Sequence, residues 1–123
     1  MRPVETVVER WGRLDVLVNN AGAGAILPLA DAGVDQIRAI FAVNVIGPSL
    51  LARAALHHLN ASGGAIVNVS STFGHKAAPA LSVSLGRRGT PEHVAPWIVA
   101  LAATDAGWVT GQVITVDGAR SVT

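Results

Sequence analysis

The residues best suited to holding a ligand are Asn19-Asn20-Ala21-Gly22, which follow a short apolar run beginning at Leu14. Such a run is typical of a parallel strand buried on both faces. Asparagine tolerates tight turns and glycine lacks a Cβ, so the backbone after this strand can approach a flat ligand closely. Open α/β sheets bind their ligands at this end of their strands. An ordinary turn after a strand is the alternative, and this stretch alone leaves both interpretations open.

Two other groups of polar side chains could do chemistry, but their surroundings argue against it. Ser71, His75 and Lys76 could supply a nucleophile and a base, yet no Gly-x-Ser-x-Gly turn surrounds the serine. His57 and His58 are adjacent on a predicted helix, so they point about 100° apart, and no third ligand is spaced to help them. Cysteine is absent, which excludes disulfides and thiolate ligands. We therefore predict neither a hydrolase nor a metal site.

Composition limits the class of protein and its partners. Half of the 123 residues are hydrophobic and 14% are charged, with a mean hydropathy of +0.46, which is typical of a buried α/β core. The net charge is +1 and the basic residues are scattered, so we expect no nucleic-acid partner. We also expect no membrane partner, because no run approaches the length needed to span a bilayer. Length predicts one domain over residues 1–123, or part of a larger one, and the lack of cysteine is compatible with the cytoplasmic location that we expect.

The elements that must position the candidate residues alternate between strands and helices. Hydrophobic patterning predicts strands at residues 14–19, 65–70 and 112–116, and helices at residues 34–59 and 91–103. Strand, helix and strand in this order predict a parallel pair. Pro48 lacks an amide donor, so it should kink the first of these helices and free a carbonyl in the turn that contains Asn44.

Apolar spacing also predicts which helical faces are buried. The long helix should bury a broad face, made up of Ile37, Ile40, Phe41, Val45, Leu51, Ala55 and Leu59. The three tryptophans, Trp11, Trp97 and Trp108, are predicted to belong to the core. Thr90 is predicted to be the N-cap of the last helix, and Gly12 should end a helix whose last turns run from Pro3 to Trp11.

Five stretches of the chain, in this order, resemble the short-chain dehydrogenase/reductase family. They are Asn19-Asn20-Ala21-Gly22, Asn44-Val45, Ile66–Ser71, Arg88–Ala95 and Val109–Gly118. The resemblance implies a Rossmann-type, three-layer αβα parallel sheet, an NAD or NADP cofactor and hydride transfer between a carbonyl and an alcohol. It matches Asn44 to an asparagine that carries a proton-relay water and Ser71 to the serine that orients the substrate oxygen. Asn20, Ala21 and Gly22 match the loop beside the cofactor riboses.

The chain departs from the family pattern at the catalytic pair. In the family a Tyr-x-x-x-Lys motif follows the serine, whereas this chain has no tyrosine and one lysine, Lys76. Ser84 and Arg88 have the same spacing, but Arg88 belongs to the next matched stretch. A serine hydroxyl is also a far weaker acid than tyrosine, whose pKa is about 10. We therefore expect an internal deletion that joins the segment after Ser71 to residues near 82–85.

The N-terminus also departs from the family pattern. The first strand and the Gly-rich turn that seats the cofactor pyrophosphate have no counterpart before Leu14, so we expect a truncated N-terminus and a partial sheet. Cofactor binding by this chain should then be weak or absent. The sequence does not distinguish NAD from NADP as the cofactor, since the residue that recognises the ribose 2′ position belongs to the expected missing N-terminal part.

Three interpretations of function follow. The first is an oxidoreductase of this family, acting on a small carbonyl or alcohol substrate but not competent alone. The second is a catalytically silent module that forms homo-oligomers through the 34–59 helix or through exposed sheet edges. The third is a truncated gene product without a selected function. The missing strands also predict marginal stability or self-association, because each unpaired buried backbone group costs about 1–3 kcal/mol.

Overall fold

The computed structural model describes residues 2–25, 28–71 and 86–119, which fall into two compact units that divide after Asn68. The first unit contains α1 (Arg2–Trp11), β1 (Val16–Asn19), α2 (Val34–Phe41), α3 (Gly47–Ser62) and β2 (Ala65–Asn68). The second unit contains α4 (Pro91–Ala102), which is followed by a 3₁₀ turn, Thr104–Ala106. That residues 1–123 form one domain stays a prediction.

β1 and β2 form a parallel pair in which Val16 lies opposite Ala65 and Asn19 lies opposite Asn68. The ladder begins where the Ala65 N–H donates to the carbonyl of Asp15 at 2.9 Å. Because the carboxyl ends of parallel strands meet at one edge of a sheet, the two asparagines end β1 and β2 side by side. The predicted α/β class, with a partial parallel sheet, is confirmed.

The third predicted strand is not formed. Residues 112–116 have no regular secondary structure, and the sheet in the described part of the chain contains two strands. Gly111 and Gly118, which flank the segment, both have left-handed backbone, with φ of +65° and +64°. The prediction of a strand at 112–116 is therefore wrong as an element, because a β-prone segment becomes a strand only when a sheet edge pairs with it.

Two glycines connect α3 to β2. Gly63 has a φ of +67° and ends the helix in the left-handed conformation, and the Gly64 N–H donates to the Leu59 carbonyl at 2.8 Å. A Cβ on Gly64 would overlap the carbonyl oxygen of Asp15 and would lie 2.9 Å from the carbonyl carbon. The start of the β1–β2 ladder thus depends on a residue without a side chain at this position.

The long predicted helix runs without a break from Val34 to Ser62. α2 and α3 are joined by a π-helical segment, Ala42–Ile46, and Pro48 lies in the first turn of α3. Pro48 has no N–H, so it cannot donate to the carbonyl of Asn44 four residues earlier. The helix is thus irregular in the turn where the sequence predicts irregularity.

By length and composition alone, this helix could cross a bilayer. The expectation that no run approaches that length is wrong, because the helix continues through Gly47 and Pro48 instead of breaking there. The observation is weak evidence for a membrane, since the long core helix of a soluble protein meets the same criterion.

The core of the first unit is small and lies where α1, α3 and β1 meet. Val4, Ala55 and Leu59 are buried and pack together, with Leu14 and Leu17 against them. Only the C-terminal part of the predicted helical face is therefore buried. Several members of that face and further large apolar residues of the same helix are exposed: Val34, Ile37, Phe41, Val43, Val45, Ile46, Leu50 and Leu56.

The prediction that the tryptophans belong to the core is wrong. Trp11 and Trp97 are at least half exposed, and Trp108 is 97% exposed. Apolar spacing identifies the face of an element that can be buried, but burial also needs a second layer of protein to cover that face. Within each unit, the described residues supply too few neighbours to do so.

α4 begins at its predicted N-cap, Thr90. The Thr90 N–H donates to Nδ1 of His93 at 3.0 Å, and the His93 N–H donates to the Thr90 carbonyl at 3.0 Å. Arg87 Nη1 lies 2.7 Å from Nε2 of the same ring. The Glu92 carboxylate in the first turn accepts hydrogen bonds from the Thr90 hydroxyl and from its own backbone N–H, and these lower the pKa of Glu92. These contacts satisfy groups that the start of a helix leaves without intrahelical partners.

Candidate functional site

Asn44 joins the loop after β1 to the π-helical segment. Its Oδ1 accepts a hydrogen bond from the Ala23 N–H at 2.8 Å, and its Nδ2 donates to the Ala23 carbonyl at 2.7 Å. The side-chain amide therefore pairs with one residue of the loop in the way that a neighbouring strand would. One amide hydrogen and one lone pair of Oδ1 remain for other partners.

The π-helical segment places Asn44 in a locally widened turn of the helix. Such turns are rare and occur frequently at functional sites, because they change the direction of a side chain within an otherwise regular helix. In this turn Pro48 withholds its donor from the Asn44 carbonyl. The Asn44 carbonyl therefore lacks the donor that the fourth following residue supplies in a regular α-helix, which is compatible with the predicted proton-relay role. That role stays a prediction.

The predicted cofactor loop lies next to Asn44. Asn20, Ala21 and Gly22 are all exposed, and a Cβ on Gly22 would lie 3.7 Å from the Asn44 Oδ1, which is an ordinary contact. The described neighbours of Gly22 therefore do not require a glycine. Ala23, which the sequence did not single out, is the residue that fixes the loop to the helix. The sequence could have indicated Ala23 by its position directly after the matched Asn-Asn-Ala-Gly.

A second amide contact links the two strand ends. Asn19 Nδ2 donates to Asn68 Oδ1 at 2.8 Å. The sequence singled out Asn19 but not Asn68, and it did not predict their contact, although each asparagine ends its strand and the two lie opposite each other. The bond holds the carboxyl ends of β1 and β2 together, at the edge from which the candidate loop departs.

Ser71 lies in the second unit, shortly after β2, and is exposed. Its assignment as the substrate serine stays a prediction. His75, Lys76 and Ser84 lie outside the described residues, as does the expected deletion junction near residues 82–85.

Chemically, the first-unit part of the site can position a ligand but cannot move a proton by itself. Asn20, Ala21, Gly22, Ala23 and Asn44 carry amide or small side chains, none of which titrates in water. Among the described residues, no group of three histidine, cysteine, aspartate or glutamate side chains could hold a metal ion. The site is therefore an open polar surface suited to hydrogen bonding.

Replacing Asn44 with alanine should release the loop after β1. Both hydrogen bonds to Ala23 disappear, so we expect the Ala23 amide to exchange its hydrogen about tenfold faster, for a loss of roughly 1.4 kcal/mol. Hydrogen exchange followed by NMR measures this directly. Asn60→Ala, an exposed position on the same helix, is the matched control and should leave exchange at Ala23 unchanged. Equal exchange rates in wild type and Asn44→Ala would show that the pairing does not order the loop.

Comparison with known sequences gives a consistent result. Residues 1–83 match the sequence profile described as short chain dehydrogenase. An uncharacterized oxidoreductase of Methylorubrum extorquens is 29% identical over 172 residues, which covers 94% of this chain and 69% of the relative. Trans-4-hydroxycyclohexanecarboxylate dehydrogenase of Sinomonas cyclohexanicum is 44% identical over 71 residues, covering 58% of this chain but 27% of that enzyme. For such relatives the chain matches about a third of their length or less.

The first of these alignments bears on the expected deletion. It extends over 172 residues, more than the 123 residues of this chain, so the relative must contain a stretch to which nothing here corresponds. An internal deletion relative to that protein is consistent with this.

Solved structures agree on the fold. Acetoin dehydrogenase from Enterobacter cloacae superposes with a TM-score of 0.85 at 28% identity, covering 98% of this chain and 69% of that one. A double mutant of a Serratia marcescens short-chain dehydrogenase/reductase superposes with a TM-score of 0.90 at 25% identity, covering 98% and 72%. The chain is thus similar to Rossmann-like structures, and about 30% of each of those structures has no counterpart in it.

Proposed function

We propose that this chain, which belongs to the short-chain dehydrogenase/reductase family, does not transfer hydride alone and is a non-catalytic member that associates with a second copy. Its resemblance to NAD(P)-dependent dehydrogenases of the family concerns fold and sequence. Whether it retains their chemistry depends on the residues it carries.

The observation that carries the proposal is the complete absence of tyrosine. When a carbonyl is reduced, its carbon receives a hydride from the nicotinamide and its oxygen must receive a proton from an acid. In the family that acid is a tyrosine hydroxyl, whose pKa a lysine lowers. A serine hydroxyl is a much weaker acid than the tyrosine hydroxyl, whose pKa is about 10, so Ser71 or Ser84 cannot replace it efficiently.

The residues that remain would serve binding and orientation. NAD or NADP is the cofactor that the family uses, and Asn20, Ala21 and Gly22 would contact its riboses. Asn44 would hold a water through its carbonyl, and Ser71 would orient the oxygen of a small carbonyl or alcohol substrate. All five side chains or backbone positions are exposed. Water therefore competes for each hydrogen bond, which supports weak cofactor binding by this chain.

Self-association is supported by the exposed apolar surface of the long helix. Eight large apolar side chains between Val34 and Leu56 are exposed, a pattern that usually marks a protein or membrane contact. A helix of this length and composition also occurs in soluble proteins, and we propose a protein contact and a cytoplasmic location. Light scattering that finds only monomer at high concentration would contradict the proposal.

We expect no oxidation of NADH or NADPH above background when the purified chain is mixed with acetoin, diacetyl or cyclic ketones. The acetoin dehydrogenase of Enterobacter cloacae, assayed in parallel, shows that the assay detects turnover. Turnover by this chain that disappears in Ser71→Ala would contradict the proposal. Cofactor titration by fluorescence tests binding separately, and we expect no saturation at millimolar cofactor.

A gene product without a selected function is the second candidate, favoured by the stretch of the Methylorubrum relative that has no counterpart here. Sequencing the locus distinguishes the two. Neighbouring bases that encode a Tyr-x-x-x-Lys segment in frame would support this candidate, whereas a continuous short reading frame would contradict it.

A further inference from the structure

A histidine helps to form the N-terminus of α4. In a capping box, the third position of the helix holds glutamate or glutamine, whose side chain accepts a hydrogen bond from the N-cap backbone. His93 occupies that position here, and its Nδ1 accepts from the Thr90 N–H at 3.0 Å. Both residues belong to the second unit. The cap of α4 therefore depends on a ring nitrogen, which can gain a proton near neutral pH.

The donors around this ring require it to be neutral. A neutral imidazole has one acceptor nitrogen, whereas an imidazolium has two N–H groups and no acceptor. The Thr90 N–H can only donate, and so can Arg87, whose Nη1 lies 2.7 Å from Nε2. The Thr90 hydroxyl, 2.9 Å from Nδ1, can donate or accept and therefore fits either form of the ring. The neutral ring can thus accept one of the two fixed donors, and the imidazolium can accept neither.

Two charged side chains act on a protonated ring in opposite directions. The Arg87 guanidinium would repel an imidazolium, and the Glu92 carboxylate would attract it. Both side chains belong to exposed residues, so water and salt screen the two effects. Positive charge is also unfavourable in the first turn of a helix. The lost acceptor and the helix dipole therefore decide the direction, and protonation should weaken the cap.

We propose that the first turn of α4 is a pH-sensitive cap, which neutral His93 holds and which protonation of the ring releases. Histidine ordinarily changes charge between about pH 5 and pH 8. The pKa of Glu92 is lowered, so its carboxylate stays ionised over this range and does not produce the same response. Arg88, Asp105 and Asp117, in the described part of this unit, are of residue types that ordinarily titrate outside this range. The start of α4 is thus firmest at neutral and alkaline pH and loosens on acidification.

NMR of the full chain between about pH 8 and about pH 5 tests the cap, because it follows protonation of the His93 ring and exchange of the Thr90 amide together. We expect the protection of the Thr90 amide, corrected for intrinsic exchange at each pH, to fall about three- to tenfold as His93 is protonated. His93→Gln keeps an acceptor that does not titrate, so Thr90 protection should change less than about twofold over the same range. His57→Gln, which removes an exposed histidine from α3, is the matched control and should keep the wild-type response.

Four other outcomes would each overturn the proposal. Thr90 protection that stays constant while His93 is protonated would show that the ring does not hold the cap. A response that persists in His93→Gln would place the titrating group elsewhere. Protection that rises on acidification would show that the imidazolium, donating to the Thr90 hydroxyl oxygen, is the capping form. An equal loss of protection at Thr90 and at Val67 in β2 would show that acid unfolds the chain as a whole instead of releasing the cap.

Discussion

Replacing Gly64 with alanine is expected to unfold the first unit. The new methyl group would occupy the space of the Asp15 carbonyl oxygen and would lie 2.9 Å from both the Asp15 carbonyl carbon and the Leu59 Cδ2. Backbone cannot move aside as a flexible side chain can, so the start of the ladder, where Ala65 donates to Asp15, would have to separate. We expect a loss of about 3 kcal/mol or more.

Urea denaturation followed by circular dichroism measures this loss. Ordinary domains have a net stability of only about 5–15 kcal/mol, so a unit with so small a core should show little or no folded baseline after the change. Gly24→Ala is the control in the same unit, since a Cβ there meets no atom within 4 Å. It should stay within about 0.5 kcal/mol of wild type. Equal denaturation curves for the two variants would show that the close approach at Gly64 relaxes without penalty.

Replacing Leu59 with alanine should have the next largest effect on stability. Leu59 is 3% exposed and packs with Val4 and Ala55 in the buried cluster of the described part of the first unit. Truncating a buried leucine removes its transfer free energy and leaves a cavity, which together cost about 2–5 kcal/mol. Because this cluster joins α1, α3 and β1, we expect all three elements to lose protection from hydrogen exchange together.

Leu56→Ala provides the matched comparison. Leu56 lies on the same helix and undergoes the same chemical change, but its side chain is 53% exposed. The expected loss of unfolding free energy is below about 1 kcal/mol, since the truncation removes little buried apolar surface. If Leu56→Ala proves as damaging as Leu59→Ala in a monomeric sample, the assignment of the core is wrong. If it matters only at high concentration, the exposed helix face is buried by association.

Local sequence features predicted the elements whose causes are local. Gly12 ends α1 with a φ of +75°, and Thr90 begins α4, because caps and left-handed turns depend on a few neighbouring residues. The β1–α–β2 order predicted the parallel pair for a similar reason, since a crossover helix permits that arrangement. The irregular turn around Asn44 followed from the missing amide of Pro48.

Features that depend on distant partners could not be predicted. The segment 112–116 has strand composition, yet pairing requires an edge that the sequence does not identify. Trp97 and Trp108 have core composition, yet burial requires a covering layer. In the site, a motif identified Asn44 and Gly22, whereas the bonds of Asn44 to Ala23 and of Asn19 to Asn68 depend on the register between elements. Register is a property of the folded pair of strands and not of either strand alone.

The π-helical segment at Ala42–Ile46 also sets the rotational phase of the long helix. A π turn holds one more residue than an α turn, so it rotates everything before it by about 100° relative to everything after it. One regular period therefore cannot describe both halves, and the face that contains Ala55 and Leu59 in α3 does not continue in register into α2. Deleting a single residue from Ala42–Ile46 would restore a uniform helix and would turn α2, together with the loop tied at Asn44, away from its present direction. The direction of the loop tied at Asn44 therefore depends on the number of residues in this turn.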